Sequence, residues 1–300
     1  MRRFTFDSPP VADIPGWYDA EPGTTDKYTV RGLIAHGDIC EVYDGTGVGN
    51  EPVIVKVARS ASNNDLLENE YEVLTEARKS ASWIKEGEIK MPLPLETFRI
   101  DVSAGRAKRR VNVFSLTPRN DKPPLKDPVT LKEVHIAYPR LDPKDAAWMF
   151  NRLIDAIHCL HAVGYVHGAI TPDHLIVEPE SHRGQLLDYS YAVKPGEIIK
   201  SISTSWTGMY AREILDKEPV TWSTDIYMAA RCMFYLLGME DTSAPNDSLM
   251  PRPMYQFLKA CILGPKHRIQ NTWQAHEDFH DLLKQLWGER KFHVFEMPKS

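Results

Sequence analysis

The stretch HGAITPDHLIV, residues 167–177, decides how the rest of this 300-residue chain is interpreted. It begins with a histidine, contains Pro172, and ends in the apolar run Leu175 to Val177. A short apolar run bounded by turn residues is typical of a β-strand. The spacing therefore predicts a loop that passes directly into a strand.

The two sides of this stretch differ in their periodicity. Short apolar runs separated by turn residues precede it, with one helical pattern among them, in the order β-β-β-α-β-β. Helical patterns flank and follow it, so the fold class is predicted to be α+β. We divide the chain into an extended arm, a β-rich lobe, a larger helical lobe and a tail: residues 1–26, 27–118, 119–287 and 288–300.

Composition narrows the class of partner. The net charge is -5 at pH 7, which gives no general attraction to nucleic acid or to an anionic membrane. No apolar run approaches the roughly 18 residues that a membrane helix needs.

The four cysteines are not at metal-ligand spacing, so we expect a reducing, cytoplasmic compartment. His158 and His161 are three residues apart on a predicted helix, but nothing completes a ligand pattern with them, and ordinary helix histidines are expected.

The stretch and its setting resemble the eukaryotic-type protein kinases. In that family the catalytic loop reads H-R-D-x-K-P-x-N before an apolar strand, which His167 and Pro172 match. The small β-rich lobe followed by a larger helical lobe is also that family's layout. The resemblance therefore implies a bilobal protein-kinase-like fold. The form H-G-A-x-x-P-x-H is also similar to kinase-like proteins of bacteria and their viruses.

Four residues match nucleotide-site positions of the family. Lys56 ends the run VIVK and resembles the lysine that holds the nucleotide's phosphates. Glu70 lies on the next predicted helix, where the family keeps that lysine's partner. Asp188 begins Asp-Tyr-Ser in place of Asp-Phe-Gly, so the resemblance implies Mg²⁺ binding there. Gly37 is the one glycine that survives from the phosphate-binding loop. ATP and Mg²⁺ are thus the implied cofactors.

Four further positions match the family's scaffold. Glu213, in Ala-Arg-Glu, resembles the glutamate that closes the activation segment, and Arg268 stands where the family keeps that glutamate's partner. Asp225 resembles the helix-start aspartate that holds the catalytic-loop backbone, and His167 begins that loop. The resemblance implies a buried Glu213–Arg268 pair and an Asp225 that accepts hydrogen bonds from the loop.

The chemical positions of the loop are altered. Ala169 stands where the family has its catalytic aspartate, and Thr171 where it has a lysine that neutralises the transferring phosphate. His174 replaces an asparagine that holds a metal, and an imidazole is a poor ligand for Mg²⁺. Gly168 replaces the arginine that clamps a phosphorylated activation loop. All four substitutions favour loss of phosphotransfer.

Two interpretations remain open. The chain is expected to be a catalytically impaired kinase-like domain, a pseudokinase, acting as a binding or regulatory module, with ATP as a candidate ligand. The alternative is an active but atypical ATP-dependent protein phosphotransferase, because Lys56, Glu70 and Asp188 are retained and Asp173 or His174 offers a displaced base.

A protein partner is expected from the arm. Residues 1–26 carry four aromatic side chains spaced among prolines: Phe4, Phe6, Trp17 and Tyr18. Such a segment cannot build a core of its own, so these side chains are predicted to pack on the domain or on another protein. A flexible tail is the other interpretation.

Overall fold

The protein has an α+β fold. The computed structural model describes residues 4–6, 28–47, 49–81, 90–100, 108–116, 125–289 and 291–298. The described residues form two compact units, the first from those of 1–79 and 92–124 and the second from 80–81, 90–91 and 125–298. Trp17 and Tyr18 of the predicted arm lie outside the described residues.

The first unit is built on one sheet. Its strands are β1 (Phe4–Phe6), β2 (Tyr28–His36), β3 (Cys40–Thr46), β4 (Pro52–Ala58), β5 (Leu93–Ile100) and β6 (Arg109–Ser115). They lie in the order β1-β2-β3-β4-β6-β5. Strands β2 to β6 pair antiparallel, and β1 pairs parallel with the start of β2, so part of the predicted arm is a short edge strand.

One helix, α1 (Asn64–Ser80), connects β4 to β5 along the chain. Its buried residues follow the spacing of one helical face: Leu67, Glu70, Val73, Leu74 and Ala77. Asn64 ties the start of the helix to the strands, because its side-chain amide donates to Lys108 O and its carbonyl accepts from Arg110 N, at 2.9 and 2.7 Å.

The second unit contains a small sheet and six helices among its described residues. The strands are β7 (Val129–Thr130), β8 (Leu175–Glu178) and β9 (Arg183–Leu186). The helices are α2 (Leu131–Ala137), α3 (Pro143–Ala162), α4 (Arg212–Leu215), α5 (Trp222–Leu236), α6 (Arg252–Cys261) and α7 (Thr272–Trp287). In the part of the chain that the structure describes, no helix is both long and apolar enough to cross a membrane.

Helix α3 shows how local sequence sets these elements. Asp142 caps it, with its carboxylate accepting from Lys144 N at 2.8 Å, and Pro143 occupies the first turn, where its missing N–H costs nothing. The helix stops before Gly164, whose φ of +91° suits glycine. Its apolar face packs on α5 and α7, and Phe150 meets Phe279 edge to face at 4.8 Å.

Within the second unit, the segment 291–298 packs against α2 and α3. Phe295 is buried, and its ring lies 5.6 Å from Tyr138 and 6.0 Å from Trp148. The Tyr138 hydroxyl donates to Glu296 O at 2.7 Å. The residues assigned to a tail from sequence therefore contribute to the core of this unit.

Candidate functional site

Lys56 and Glu70 form a buried ion pair in the first unit. Lys56 Nζ lies 2.6 Å from Glu70 Oε1, and their side chains are 10% and 2% exposed. Strand β4 supplies the lysine and the buried face of α1 supplies the glutamate. The structure thus brings together the two residues that the resemblance assigned to the phosphate end of a nucleotide site.

Asn112 holds this pair in position. It lies opposite Lys56 in the β4–β6 register and is fully buried. Its amide donates to Leu67 O at 2.7 Å, one turn before Glu70, and its carbonyl accepts from Thr97 Oγ1 at 2.7 Å. These bonds join α1 to β5 and β6. They therefore fix the position of Glu70 relative to β4, the strand that carries Lys56.

Gly37 lies in the tight turn between β2 and β3. Its N–H donates to Cys40 O at 2.9 Å, and a Cβ at this position would come within 3.0 Å of that same oxygen. The close approach of this oxygen favours glycine in the turn. Because its N–H is already bonded to the chain, Gly37 offers no amide to a phosphate in this conformation.

Asp225, at the start of α5, holds the loop at residues 167–174 in the second unit. It is fully buried and accepts from His167 N at 2.7 Å and from Gly168 N at 2.8 Å, one on each carboxylate oxygen. His161 Nε2 lies 2.8 Å from the same carboxylate. His161 is thus a helix residue with a structural contact.

His167 is a buried, neutral part of this loop. Its Nδ1 accepts from Ala169 N at 3.3 Å, so Nε2 carries the hydrogen that is donated to Leu187 O at 3.0 Å. Burial lowers the pKa of the imidazole to about 4, and the nearby Asp225 carboxylate opposes that shift only in part. The ring ties the loop to the end of β9.

Two of the four altered loop positions are enclosed in the interior. Ala169 and Thr171 are both fully buried. Within the described residues, Thr171 Oγ1 makes no hydrogen bond. The hydroxyl of Thr171 is therefore enclosed. It cannot take the role of the phosphate-neutralising lysine that the resemblance matched to this position.

Asp173, one of the two candidate displaced bases, is engaged by its neighbours. Trp206 Nε1 donates to Asp173 Oδ2 at 2.6 Å, and Lys132 Nζ lies 3.4 Å from Oδ1. The lysine also lies 5.9 Å from the centre of the Trp206 ring. Both carboxylate oxygens of Asp173 are thus already in contact with side chains of the chain.

His174, the other candidate base, contacts Asp188. Its Nδ1 lies 2.6 Å from Ala169 O, and its Nε2 lies 3.2 Å from Asp188 Oδ2. The other oxygen, Asp188 Oδ1, accepts from Ser190 Oγ at 2.7 Å. Asp188 itself has a left-handed backbone, with φ of +62°.

This donor set does not fit Mg²⁺. That ion requires oxygen ligands in octahedral geometry, and here an imidazole nitrogen and a hydroxyl already bind the two oxygens of the one carboxylate. Across the described ranges, no group of three or more His, Cys, Asp or Glu side chains is arranged to hold a metal ion. The metal role that the resemblance assigned to Asp188 is not supported by these contacts.

Ile199 fills the space beside Gly168. It is 1% exposed, and a Cβ at Gly168, whose φ is +71°, would come 2.1 Å from Ile199 Cδ1. Lys217 Nζ donates to the carbonyls of Ile199 and Lys200, at 3.1 and 2.8 Å. An apolar side chain thus packs beside Gly168, the position that the resemblance matched to an arginine.

Glu213 and Arg268 form a buried bidentate pair. Arg268 donates from Nη1 to Oε1 at 2.7 Å and from Nη2 to Oε2 at 3.1 Å. Thr224 Oγ1 adds a bond to the carboxylate at 2.9 Å, and the guanidinium lies 4.9 Å from the Tyr227 ring centre. The pair joins α4 and α5 to the segment before α7.

No protein-family model matches the chain.

Proposed function

We propose that this chain is a protein-kinase-like domain that has lost phosphotransfer and acts by binding, as a regulatory module for a protein partner. The order of elements supports this class: the helix α1, between β4 and β5 along the chain, pairs its glutamate with the lysine of β4. Two contacts support the same assignment in the second unit. Asp225 accepts hydrogen bonds from the backbone of the loop, and Glu213 pairs with Arg268.

The observation that carries the proposal is the absence of an acceptor at Ala169. In protein kinases a carboxylate there accepts and orients the attacking hydroxyl, and general-base assistance of this kind contributes about 10²–10⁴ in rate. Ala169 is buried and has no such group. The buried Thr171 supplies no positive charge to the transferring phosphate, which removes further electrostatic stabilisation.

The alternative, an atypical phosphotransferase with a displaced base, finds less support. Asp173 is held by Trp206 and Lys132, and His174 is held by Ala169 O and Asp188. A base that is already bonded on the sides from which it would accept a proton must first break those contacts. The binding role is therefore the better account of this loop.

Nucleotide retention is the second part of the proposal, and the Lys56–Glu70 pair supports it. A buried pair leaves the ammonium oriented and only slightly exposed, which suits a phosphate-binding lysine. The hydrogen bond of the Gly37 amide to Cys40 O and the contact of Asp188 with His174 favour a small contribution from the glycine amide and from a metal. We therefore propose ATP binding that depends on Lys56 rather than on a divalent cation.

A thermal-shift titration with ATP in EDTA tests this part of the proposal. The wild type should show a rise in Tm that Lys56→Met abolishes. Lys79→Met is the matched control, because Lys79 lies on the exposed side of α1, and it should show the full rise. A rise that survives Lys56→Met would place the nucleotide elsewhere.

A further inference from the structure

The carboxylate of Asp188 is bound on both oxygens by side chains of this chain. His174 Nε2 lies 3.2 Å from Oδ2, and Ser190 Oγ donates to Oδ1 at 2.7 Å. The side chains of His174 and Asp188 are 17% and 14% exposed, so the contact is largely shielded from water. A shielded contact of this kind is stronger than the same contact at the surface.

The ring of His174 is fixed in this direction. Its Nδ1 bonds to Ala169 O at 2.6 Å, its backbone N–H donates to Thr171 O at 3.0 Å, and its carbonyl accepts from Leu187 N at 2.7 Å. Both ring nitrogens therefore face oxygens. The ring is therefore bound to the chain on both of its edges, at Ala169 O and at the Asp188 carboxylate.

We propose that His174 takes the place of a divalent cation as the partner of Asp188, and that the chain therefore binds neither Mg²⁺ nor Mn²⁺ there. This role of His174 rests on the proposed function in one respect, because it is the kinase resemblance that assigns a metal to Asp188. Ser190 contributes by binding the second oxygen. The loop and the end of β9 are thus held together by protein groups alone.

The test uses Mn²⁺ alone, as a spectroscopic substitute for Mg²⁺, with free Mn²⁺ measured by electron paramagnetic resonance. The variants are His174→Asn, Asp188→Asn and the double variant. We expect no stoichiometric binding to the wild type. His174→Asn supplies an amide oxygen and removes the imidazole contact from Asp188 Oδ2, so it should gain a site with affinity at least about tenfold above the wild type. The double variant should lose that gain.

Two results would overturn the inference. One is a single Mn²⁺ site in the wild type that Asp188→Asn removes. The other is a folded His174→Asn variant, judged by circular dichroism and by its melting transition, that gains no site. Because no nucleotide or substrate is present, neither result depends on whether the chain transfers phosphate.

The melting temperature gives a second readout that does not need His174→Asn to fold. Asp188→Asn should lower Tm by a few degrees, because the variant loses the charge that His174 contacts. Asp216→Asn, in an exposed pair with Arg212, is the control and should change Tm little. An Asp188→Asn variant as stable as the wild type would contradict the inference. A carboxylate without a positively charged or hydrogen-bonding partner would cost no stability when it is replaced by an amide.

Discussion

The guanidinium of Arg268 donates two parallel hydrogen bonds to the carboxylate of Glu213, at 2.7 and 3.1 Å, with both side chains almost completely buried. A pair in this geometry satisfies the fork of the arginine and both oxygens of the carboxylate. Removing one partner leaves the other as an uncompensated charge in the interior.

Arg268→Ala should therefore reduce the free energy of unfolding by about 3–5 kcal/mol. Arg212→Ala is the matched control, because its pair with Asp216 is exposed and should change the free energy of unfolding little. Urea denaturation of the two variants provides the comparison. Equal losses in both would show that the buried pair has no special role.

Gly168→Ala should destabilise the protein more than Gly164→Ala does. Both glycines have φ near +70° to +90°, but only at Gly168 would the new Cβ meet another side chain, at 2.1 Å from Ile199 Cδ1. Strain from crowding of this kind costs about 1–3 kcal/mol. Thermal or urea unfolding of the two variants measures the difference.

Ile199→Val removes the atom that would clash, which gives an internal control. In the double variant Gly168→Ala/Ile199→Val, the loss of stability should be smaller than the sum of the two single losses. Strict additivity would mean that Ile199 is not what excludes a side chain at residue 168.

Phe295→Ala should cost about 3 kcal/mol, because the ring is buried against Tyr138 and Trp148. Phe292, three residues earlier, is 65% exposed, so Phe292→Ala should cost about 1 kcal/mol or less. The difference in urea midpoint between the two variants measures the contribution of the C-terminal segment. A smaller loss in Phe295→Ala than in Phe292→Ala would contradict the packing described here.

The protein should lose stability as the pH falls from 6.5 toward 4. Burial lowers the pKa of His167 to about 4 in the folded state, whereas an unfolded histidine titrates near 6.5. Between these values the unfolded chain binds the extra proton, so its population grows as the pH falls. His182, whose pKa burial also lowers to about 4, acts in the same direction.

For His167 alone the loss between pH 7 and pH 5 is about 2 kcal/mol. His167→Gln replaces the imidazole with a neutral amide that still donates and accepts hydrogen bonds. Urea unfolding at the two pH values should show a smaller difference in this variant than in the wild type. An unchanged difference would mean that His167 is not buried in its neutral form.

Much of the fold follows from local patterns. The alternating valines of β4 and the helical stripe that places Glu70 beside Val73 and Leu74 determine which faces are buried. These patterns place Lys56 at a strand and Glu70 on a buried helix face, whereas their pairing, 2.6 Å in the structure, was implied by the resemblance. The Glu213–Arg268 pair could be expected only from the resemblance, because 55 residues separate its members.

The contacts that sequence reasoning missed are made by distant segments. A lone asparagine between two valines in β6 indicates a buried polar side chain. It does not indicate that the side chain of Asn112 bonds to Leu67 O. Nothing local shows that Ile199 packs on Gly168 or that Trp206 bonds to Asp173. His174 was identified as an altered position, whereas its contact with Asp188 depends on a ring orientation that only the folded loop defines.

The central claim, loss of phosphotransfer, is tested most directly by incubating the purified chain with ATP labelled at the γ-phosphate, with Mg²⁺ or Mn²⁺, and measuring label transferred to the chain or to generic protein substrates. The wild type, Lys56→Met and Asp188→Ala should be indistinguishable from a reaction without protein. Label that persists equally in all three would come from a contaminating kinase. Wild-type transfer that disappears in Asp188→Ala, and that Asp173→Ala or His174→Ala also removes, would contradict the account and identify the displaced base.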